Sequence, residues 1–204
     1  MVRVFFFSEL EDSAKQVARE RLHDNLERLP WQAAAIRNTL PDIAESGILI
    51  DEQDVCVAPD GYVSFTAKEV TLDIVLARSG VGKKYLGHPG YYDLFCVNCQ
   101  ALVKRVRPFS DVTRMISVSV EIAPFENNDG GKAFLACEIA AGLLEQYLKH
   151  LVATISDSLR RAIDEERARI FSPSFLDAYL EGQGKVFGKT CDRILPMNAA
   201  EEGT

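Results

Sequence analysis

The hydrophobic positions in the last third of the chain recur every three or four residues, which is the period of an amphipathic helix. This pattern predicts one long helix, from about residue 134 to about residue 171, with a single apolar stripe. The stripe residues are Leu135, Ile139, Leu143, Tyr147, Leu151, Ile155, Leu159 and Ile163, and Leu144 and Leu148 widen it. Such a helix extends about 55 Å at 1.5 Å per residue. We expect the other elements to pack against it, unless a second copy of the chain covers the stripe in a homodimer.

The N-terminal part of the chain predicts a strand at residues 2–7 followed by two helices. Ser8 and Glu11 have the spacing of a capping box at the start of the first helix. The apolar face of that helix is Leu10, Ala14, Val17, Ala18, Leu22, Leu26 and Leu29. The second helix is predicted to begin at Pro30, to break or kink at Pro41 and to end at Gly47.

Alternating apolar and polar residues predict an antiparallel sheet in the middle of the chain. Its strands are predicted at residues 48–50, 55–58, 63–67, 70–76 and 115–122. Asp60-Gly61 has the chemistry of a hairpin turn. A change in the parity of the apolar positions near Lys68-Glu69 indicates a bulge or a tight turn there.

Residues 79–92 are rich in glycine and predict a loop. The spacing of Phe95, Cys99, Leu102 and Val106 then predicts a helix that stops at Pro108. After the long helix, Ser172-Pro173 has the pattern of a helix start, and the short helix is predicted to run through Leu180 to Gly182. A last strand is predicted at residues 185–190.

Together these elements predict one α+β domain over residues 1–195, followed by a disordered tail at 196–204. In that domain an antiparallel sheet packs against the long C-terminal amphipathic helix and a pair of N-terminal helices.

The composition is that of an ordinary intracellular globular protein, with 47% hydrophobic and 26% charged residues in 204. No apolar run approaches the ~20 residues of a membrane span, and the five cysteines are scattered. We therefore expect a cytoplasmic protein without membrane contact. The net charge of −7 is unevenly distributed, because residues 78–114 carry seven basic and only two acidic side chains.

Two groups of charged residues are candidate binding sites. The first mixes ammonium groups with aromatic rings, a combination that suits a phosphate-bearing, planar ligand or a protein interface. It consists of Lys83, Lys84, Tyr85, His88, Tyr91 and Tyr92. The second is a set of acidic residues on helices, suited to a basic partner. It consists of Glu20, Glu27, Glu165 and Glu166. The alternatives are a tyrosine-packed lid and a solvated helix face.

The remaining chemistry does not favour an enzyme. Cys96 and Cys99, with His88 upstream, supply half of a zinc site, but Cys99 falls on the apolar face of the predicted helix and buried thiols are common core residues. The three histidines and the serines do not form a recognisable nucleophile motif. The sequence therefore indicates no catalytic residue, no metal and no cofactor.

Short motifs along much of the chain are similar to those of a group of functionally uncharacterised bacteriophage and prophage proteins. These motifs are Phe7-Ser8-Glu9-Leu10 before a helix, Asp60-Gly61 followed by Ser64-Phe65, and the long helix, short helix and aromatic strand at the C-terminus. The polar run that usually precedes the Asp-Gly pair is absent. The resemblance implies a phage or mobile-element origin and implies no catalytic residue.

The leading functional hypothesis is a non-catalytic accessory protein that inhibits a host defence component, as an anti-CRISPR protein does. Its partner would be a host protein or ribonucleoprotein complex in the host cell cytoplasm. The alternatives are a binding module, or sponge, for an anionic nucleotide and an antitoxin-like partner of a toxin.

Overall fold

The computed structural model describes residues 4–106, 116–126, 131–184 and 187, and within them it has the predicted α+β fold. Its helices are α1 (Asp12–Glu27), α2 (Trp31–Ala44), α3 (Leu72–Ser79), α4 (Val81–Tyr85), α5 (Tyr91–Asn98), α6 (Lys132–Ile170) and α7 (Pro173–Gly182). Its strands are β1 (Ile48–Leu49), β2 (Val55–Val57), β3 (Val63–Phe65), β4 (Glu69–Val70), β5 (Cys99–Arg105) and β6 (Ile116–Ile122). The predicted tail at 196–204 lies outside these residues, as does the predicted last strand except Phe187.

The described strands form three small antiparallel sheets instead of one large sheet. β1 pairs with β4, β2 pairs with β3 around the predicted Asp60-Gly61 turn, and β5 pairs with β6. The longest ladder is β5–β6, with seven residue pairs from Cys99–Ile122 to Arg105–Ile116. The amide of Ala67 donates to the carbonyl of Val103 over 2.9 Å, which joins the segment after β3 to the outer edge of β5.

The contacts of the chain separate it into two compact units. The terminal unit comprises residues 1–34 and 164–204, and the central unit comprises residues 35–163. The single domain over residues 1–195 stays a prediction.

The core of the terminal unit confirms most of the predicted apolar face of α1. The buried residues of this core are Phe7, Leu10, Ala14, Ala18, Leu22, Leu176, Leu180 and Phe187. Leu29 is the exception on the predicted face, because 57% of it is exposed. The α7 start is also confirmed: Pro173 is the first residue, and the Ser172 hydroxyl accepts a hydrogen bond from the amide of Phe175.

The predicted strand at 2–7 and the capping box were wrong for the described residues. Phe5 makes a single bridge with Phe187, and Phe7–Glu9 is a turn of 3-10 helix. The Ser8 hydroxyl and amide both donate to the carboxylate of Glu181, each over 2.8 Å. Because Ser8 is hydrogen-bonded to Glu181, its side chain is not available as a cap, and α1 begins at Asp12 without a side-chain cap.

The second helix is predicted to break or kink at Pro41; it does not break there, since α2 continues through Pro41 to Ala44. Proline removes one helical hydrogen bond. Ile36 and Ile43 lie seven residues apart, on one face of α2, and both are buried. Their burial offsets the missing bond. The helix ends at Ala44, three residues before the predicted end, and Gly47, with φ of 89° in the left-handed region, closes the turn that follows.

Residues 70–76 are not a strand, because only Glu69–Val70 is extended and α3 begins at Leu72. Val75 and Leu76 are adjacent and both fully buried, whereas 37% of Ile74 is exposed. A strand places neighbouring side chains on opposite faces, but a helix can bury two neighbours together. The apolar residues at even positions suggested a strand, whereas the residues that pack inward, at 72, 75 and 76, have the spacing of a helix.

The predicted helix through Cys99 to Val106 ends early. α5 stops at Asn98, and Cys99–Arg105 forms β5. The helix-like spacing is local, whereas the pairing of β5 with β6 runs over seven residue pairs and satisfies the inward-facing backbone groups of both strands. The predicted strand at 115–122 is confirmed as β6 from Ile116 onward, and Met115 lies outside the described residues.

The long helix is confirmed as α6, but its buried stripe differs from the predicted one in the first half. Leu135 and Ile139 are 58% and 45% exposed. The buried residues are Ala133, Cys137, Ala140, Ala141, Leu144, Leu148, Val152, Ile155, Leu159, Ile163 and Ile170. Leu144 and Leu148, which widen the predicted stripe, are buried as predicted. The other residues of the predicted stripe advance by four at each step, which overshoots a helical turn by about 40°. Over the seven steps from Ile163 back to Leu135 the drift reaches roughly 280°, so the pattern left the buried face.

Candidate functional site

The glycine-rich segment predicted as a loop contains a helix. Gly80, with φ of 71°, ends α3 and starts α4. Gly90, with φ of 82°, starts α5. Left-handed φ values of this kind favour glycine, since other residues meet their own Cβ there. These two glycines allow three short helices to follow one another, so the segment is not the flexible loop that the sequence predicted.

The lysines of this segment are exposed at the end of α4. Lys83 and Lys84 lie in its last turn, where cations are favoured by the helix dipole. The ammonium group of Lys84 lies 5.1 Å from the centre of the Tyr85 ring. One face of the Tyr85 ring is therefore already in contact with the neighbouring Lys84. Lys83 remains an exposed point charge.

The other aromatic residues also contact one another or the protein. The rings of His88 and Tyr91 lie 4.5 Å apart. The Tyr92 hydroxyl donates to the carboxylate of Asp73 over 2.8 Å. Burial, and then this hydrogen bond, raise the pKa of Tyr92. The six predicted residues therefore lie together on α4, α5 and the turn between them, but their rings contact other side chains and do not form a free stacking platform.

The four predicted acidic residues all belong to the terminal unit, whereas the predicted lysines and tyrosines belong to the central unit. Glu20 accepts a hydrogen bond from Gln16, and Glu27 lies 3.9 Å from His23. Glu165 is exposed. Glu166 is half-buried and forms a two-bond ion pair with Arg169, which lowers the pKa of Glu166. Glu166 is therefore neutralised locally and does not present a free charge.

The sequence reasoning missed Asp24, which extends the acidic surface. Glu20, Asp24 and Glu27 are spaced four and three residues apart and are all exposed. This spacing places them on one face of α1. The buried face, with Ala18 and Leu22, lies on the other side. The regular spacing was the signal that could have identified Asp24.

An aromatic cluster lies next to this surface in the terminal unit. The rings of His23 and Phe171 are 4.5 Å apart, and Trp31 meets Phe171 edge-on at 6.0 Å. All three side chains are partly exposed. No spacing rule connects residues so far apart in the chain, so the sequence could not reveal this cluster.

Three cysteines of the central unit are poorly suited to nucleophilic catalysis or metal binding. Burial raises the pKa of Cys96, Cys99 and Cys137, and for Cys99 it reaches about 12. Thiols with raised pKa values remain protonated at neutral pH and are weak nucleophiles and weak metal ligands. Among the residues that the structure describes, no group of three or more histidine, cysteine or acidic side chains has a metal-binding arrangement.

A charged cavity of about 430 Å³ lies in the terminal unit between α1 and α7. Arg19 and Asp177 cross it with two hydrogen bonds of 2.6 and 2.8 Å. Glu181 is held there by Ser8. Because these polar groups are bonded to one another, we interpret the cavity as a packing contact that stabilises α1 against α7, and not as a binding site.

A second cavity, of about 400 Å³, lies in the central unit between β6 and α6, and we call it the β6–α6 groove. It is mainly apolar. Its lining residues are Tyr62, Ile116, Val118, Lys149, Val152, Ala153, Ser156 and Asp157. The volume is within the range of ligand pockets. The sequence reasoning missed this groove, because its walls come from three distant segments.

No known protein family, curated protein or solved structure matches this chain. Within the described ranges, no helix has the length and apolar character needed to cross a membrane.

Proposed function

We propose that this protein is a non-catalytic accessory protein of a phage or mobile element that binds and inhibits a host defence component in the host cytoplasm. The partner is a host protein or ribonucleoprotein complex with a basic surface. The proposal combines the sequence resemblance to phage proteins with one structural observation, the exposed acidic face of α1.

The acidic face of α1 supports the proposal because, within the part of the chain that the structure describes, no two-bond ion pair neutralises its charges as Arg169 neutralises Glu166. Glu20, Asp24 and Glu27 point away from the buried side of α1. Exposed charge of one sign accelerates association with an oppositely charged partner and competes with nucleic acid for a basic groove.

The nucleotide-sponge alternative has less support from the geometry. A stacking platform needs free aromatic faces, but Tyr85 is covered by Lys84, and His88 packs on Tyr91. The carboxylate of Asp73, held by Tyr92, adds a negative charge beside the segment. We therefore favour a protein partner over an anionic nucleotide, and the antitoxin alternative shares that partner class.

The test is a charge reversal of the acidic face, Glu20→Lys, Asp24→Lys and Glu27→Lys combined. We expect the association rate with a purified CRISPR–Cas effector complex to fall at least tenfold at low salt and less at high salt, because screening weakens steering. Biolayer interferometry at two salt concentrations measures this rate, after circular dichroism has shown that the helices are intact.

The matched control is the double variant Lys83→Glu and Lys84→Glu, which also changes exposed helical charges. It should leave the association rate within twofold. If the control abolishes binding to cyclic dinucleotides while the acidic-face variant binds the effector normally, the sponge is correct and the proposed function is wrong.

A further inference from the structure

The outer edge of β6 has backbone groups that face the β6–α6 groove. The Val103 carbonyl accepts from Ala67, so it points away from β6. In an antiparallel ladder, both members of such a pair direct their backbone groups outward. Val103 is opposite Val118. The amide and carbonyl of Val118 therefore point to the outer edge of β6, and those of Ile116, two residues away, do the same.

Glu145 of α6 already covers the next outward position on this edge. The hydrogen bond from Lys149, at 2.5 Å, is the main cause of the lowered pKa of Glu145, and a weaker one from the backbone of Val120 acts in the same direction. Among the described residues, no corresponding bond is made by the backbone of Ile116 or Val118 on this side. The open part of the edge is thus about three residues, or roughly 10 Å.

The groove beside the open edge offers both apolar and charged contacts. Val152 and Ala153 form its apolar wall on α6. Lys149 is neutralised by Glu145, whereas Asp157 takes part in no ion pair within the described ranges. Among the described residues of the groove, the Asp157 carboxylate is therefore the charged group that a basic side chain can pair with, although Arg161 donates a hydrogen bond to the carbonyl of Asp157. In addition, the Ser156 hydroxyl is buried and has no hydrogen-bond partner among the described residues.

We propose that the β6–α6 groove binds a short extended segment of a partner protein, which pairs with the backbone of Ile116 and Val118 and places a basic side chain beside Asp157. Unpaired strand edges accept an added strand through main-chain hydrogen bonds, while pockets for alternate side chains supply specificity. An apolar side chain of the segment packs on Val152 and Ala153. Glu145 ends the pairing at Val120.

This proposal does not rest on the proposed function. The groove belongs to the central unit, and its test needs only this chain and synthetic peptides, so failure of either proposal leaves the other standing.

The probe is a library of labelled tetrapeptides with blocked ends, in which valine or isoleucine alternates with variable positions that include lysine. Fluorescence anisotropy measures binding to the full chain. We expect lysine-containing members to bind, and we expect methylation of the peptide nitrogen that pairs with Val118 to weaken binding more than tenfold, because it removes a ladder hydrogen bond.

Variants of α6 locate the binding to the groove. Ala153→Arg fills the groove from an exposed position and should weaken binding more than tenfold, while the matched control Gln146→Arg, exposed on the same helix, should change it less than twofold. Asp157→Asn should reduce the preference for lysine-containing peptides at least threefold and leave the binding of uncharged peptides unchanged.

Amide hydrogen exchange followed by NMR provides a direct readout. The Val118 amide should exchange rapidly in the free protein and at least tenfold more slowly with bound peptide, whereas the Ser119 amide, inside the β5–β6 ladder, should not change. A protected Val118 amide in the free protein, the absence of binding across the library, or equal binding by Ala153→Arg would overturn the proposal.

Discussion

Asp177 connects α7 to α1, because its carboxylate accepts both hydrogen bonds from the guanidinium group of Arg19. These hydrogen bonds hold the pKa of Asp177 below its usual range. A lowered pKa in the folded state stabilises the protein above the pKa of the unfolded chain, and this contribution disappears as the pH falls through the folded value.

We therefore expect Asp177→Asn to reduce stability at pH 7 by less than about 1 kcal/mol, since both partners are about one-third exposed. The difference from the wild type should shrink as the pH falls through the folded pKa of Asp177. Urea unfolding at pH 7, 4 and 2 measures the effect. Asp24→Asn, at an exposed position without a recorded ion pair in the described chain, serves as the control and should show no such loss. An unchanged difference at pH 2 would contradict the role of the Arg19 pair.

The buried thiol of Cys99 leads to a second prediction about a single side chain. Burial raises its pKa to about 12, and the nearby Cys96 and Cys137 contribute in the same direction. Because the thiolate is the nucleophile, we expect iodoacetamide to label Cys99 more than tenfold more slowly in the folded protein than in urea at pH 8. Peptide mapping by mass spectrometry follows each cysteine. Equal labelling rates would show that the thiol is accessible and ionised in the fold.

Along α6, the difference between the predicted and observed stripes can be measured. Leu148 is fully buried, whereas 58% of Leu135 is exposed. Removal of a buried leucine side chain loses the transfer free energy and leaves a cavity, so we expect Leu148→Ala to destabilise the protein by about 2–5 kcal/mol. Leu135→Ala should change stability by less than about 0.5 kcal/mol. Chemical unfolding of both variants tests the helix orientation, and a reversed order would contradict the orientation of α6 described above.

The elements α3 and β5 show how little a local pattern constrains a segment of eight residues or fewer. In α3, three apolar residues at even positions, Leu72, Ile74 and Leu76, are compatible with a strand, and only the burial of Val75 beside Leu76 reveals the helix. In β5, helix-like spacing is present, yet the chain pairs with β6. Packing overrides such weak preferences, because backbone pairing and burial contribute more than intrinsic propensity.

Across the whole molecule, the fold assigns the two predicted binding groups to different compact units. The lysines and tyrosines of residues 83–92 belong to the central unit, and the acidic residues belong to the terminal unit. The net charge of −7 and its uneven distribution along the chain supported an interaction with a charged partner. They did not indicate which charges are free, and the ion pair of Glu166 with Arg169 removes one of the four acidic candidates.

The elements that could be predicted are those whose signals are long or chemically specific. α6 has about eleven turns of repeating apolar residues, and α1 has a continuous apolar face. The pair Ser172-Pro173 is typical of a helix start, and the pair Asp60-Gly61 is typical of a turn. In each of these cases the determining contacts lie within a few residues in the chain. The sequence therefore already contains the physical cause of the structure.

The features that could not be predicted depend on residues far apart in the chain. Ser8 finds its partner in Glu181, His23 meets Phe171, and β5 depends on β6. The β6–α6 groove has walls from β6, α6 and Tyr62, and the bond between Ala67 and Val103 identifies the backbone groups of β6 that face outward. Such contacts are decided by the packing of the folded chain, since periodicity records only which side of an element is apolar and not what covers it.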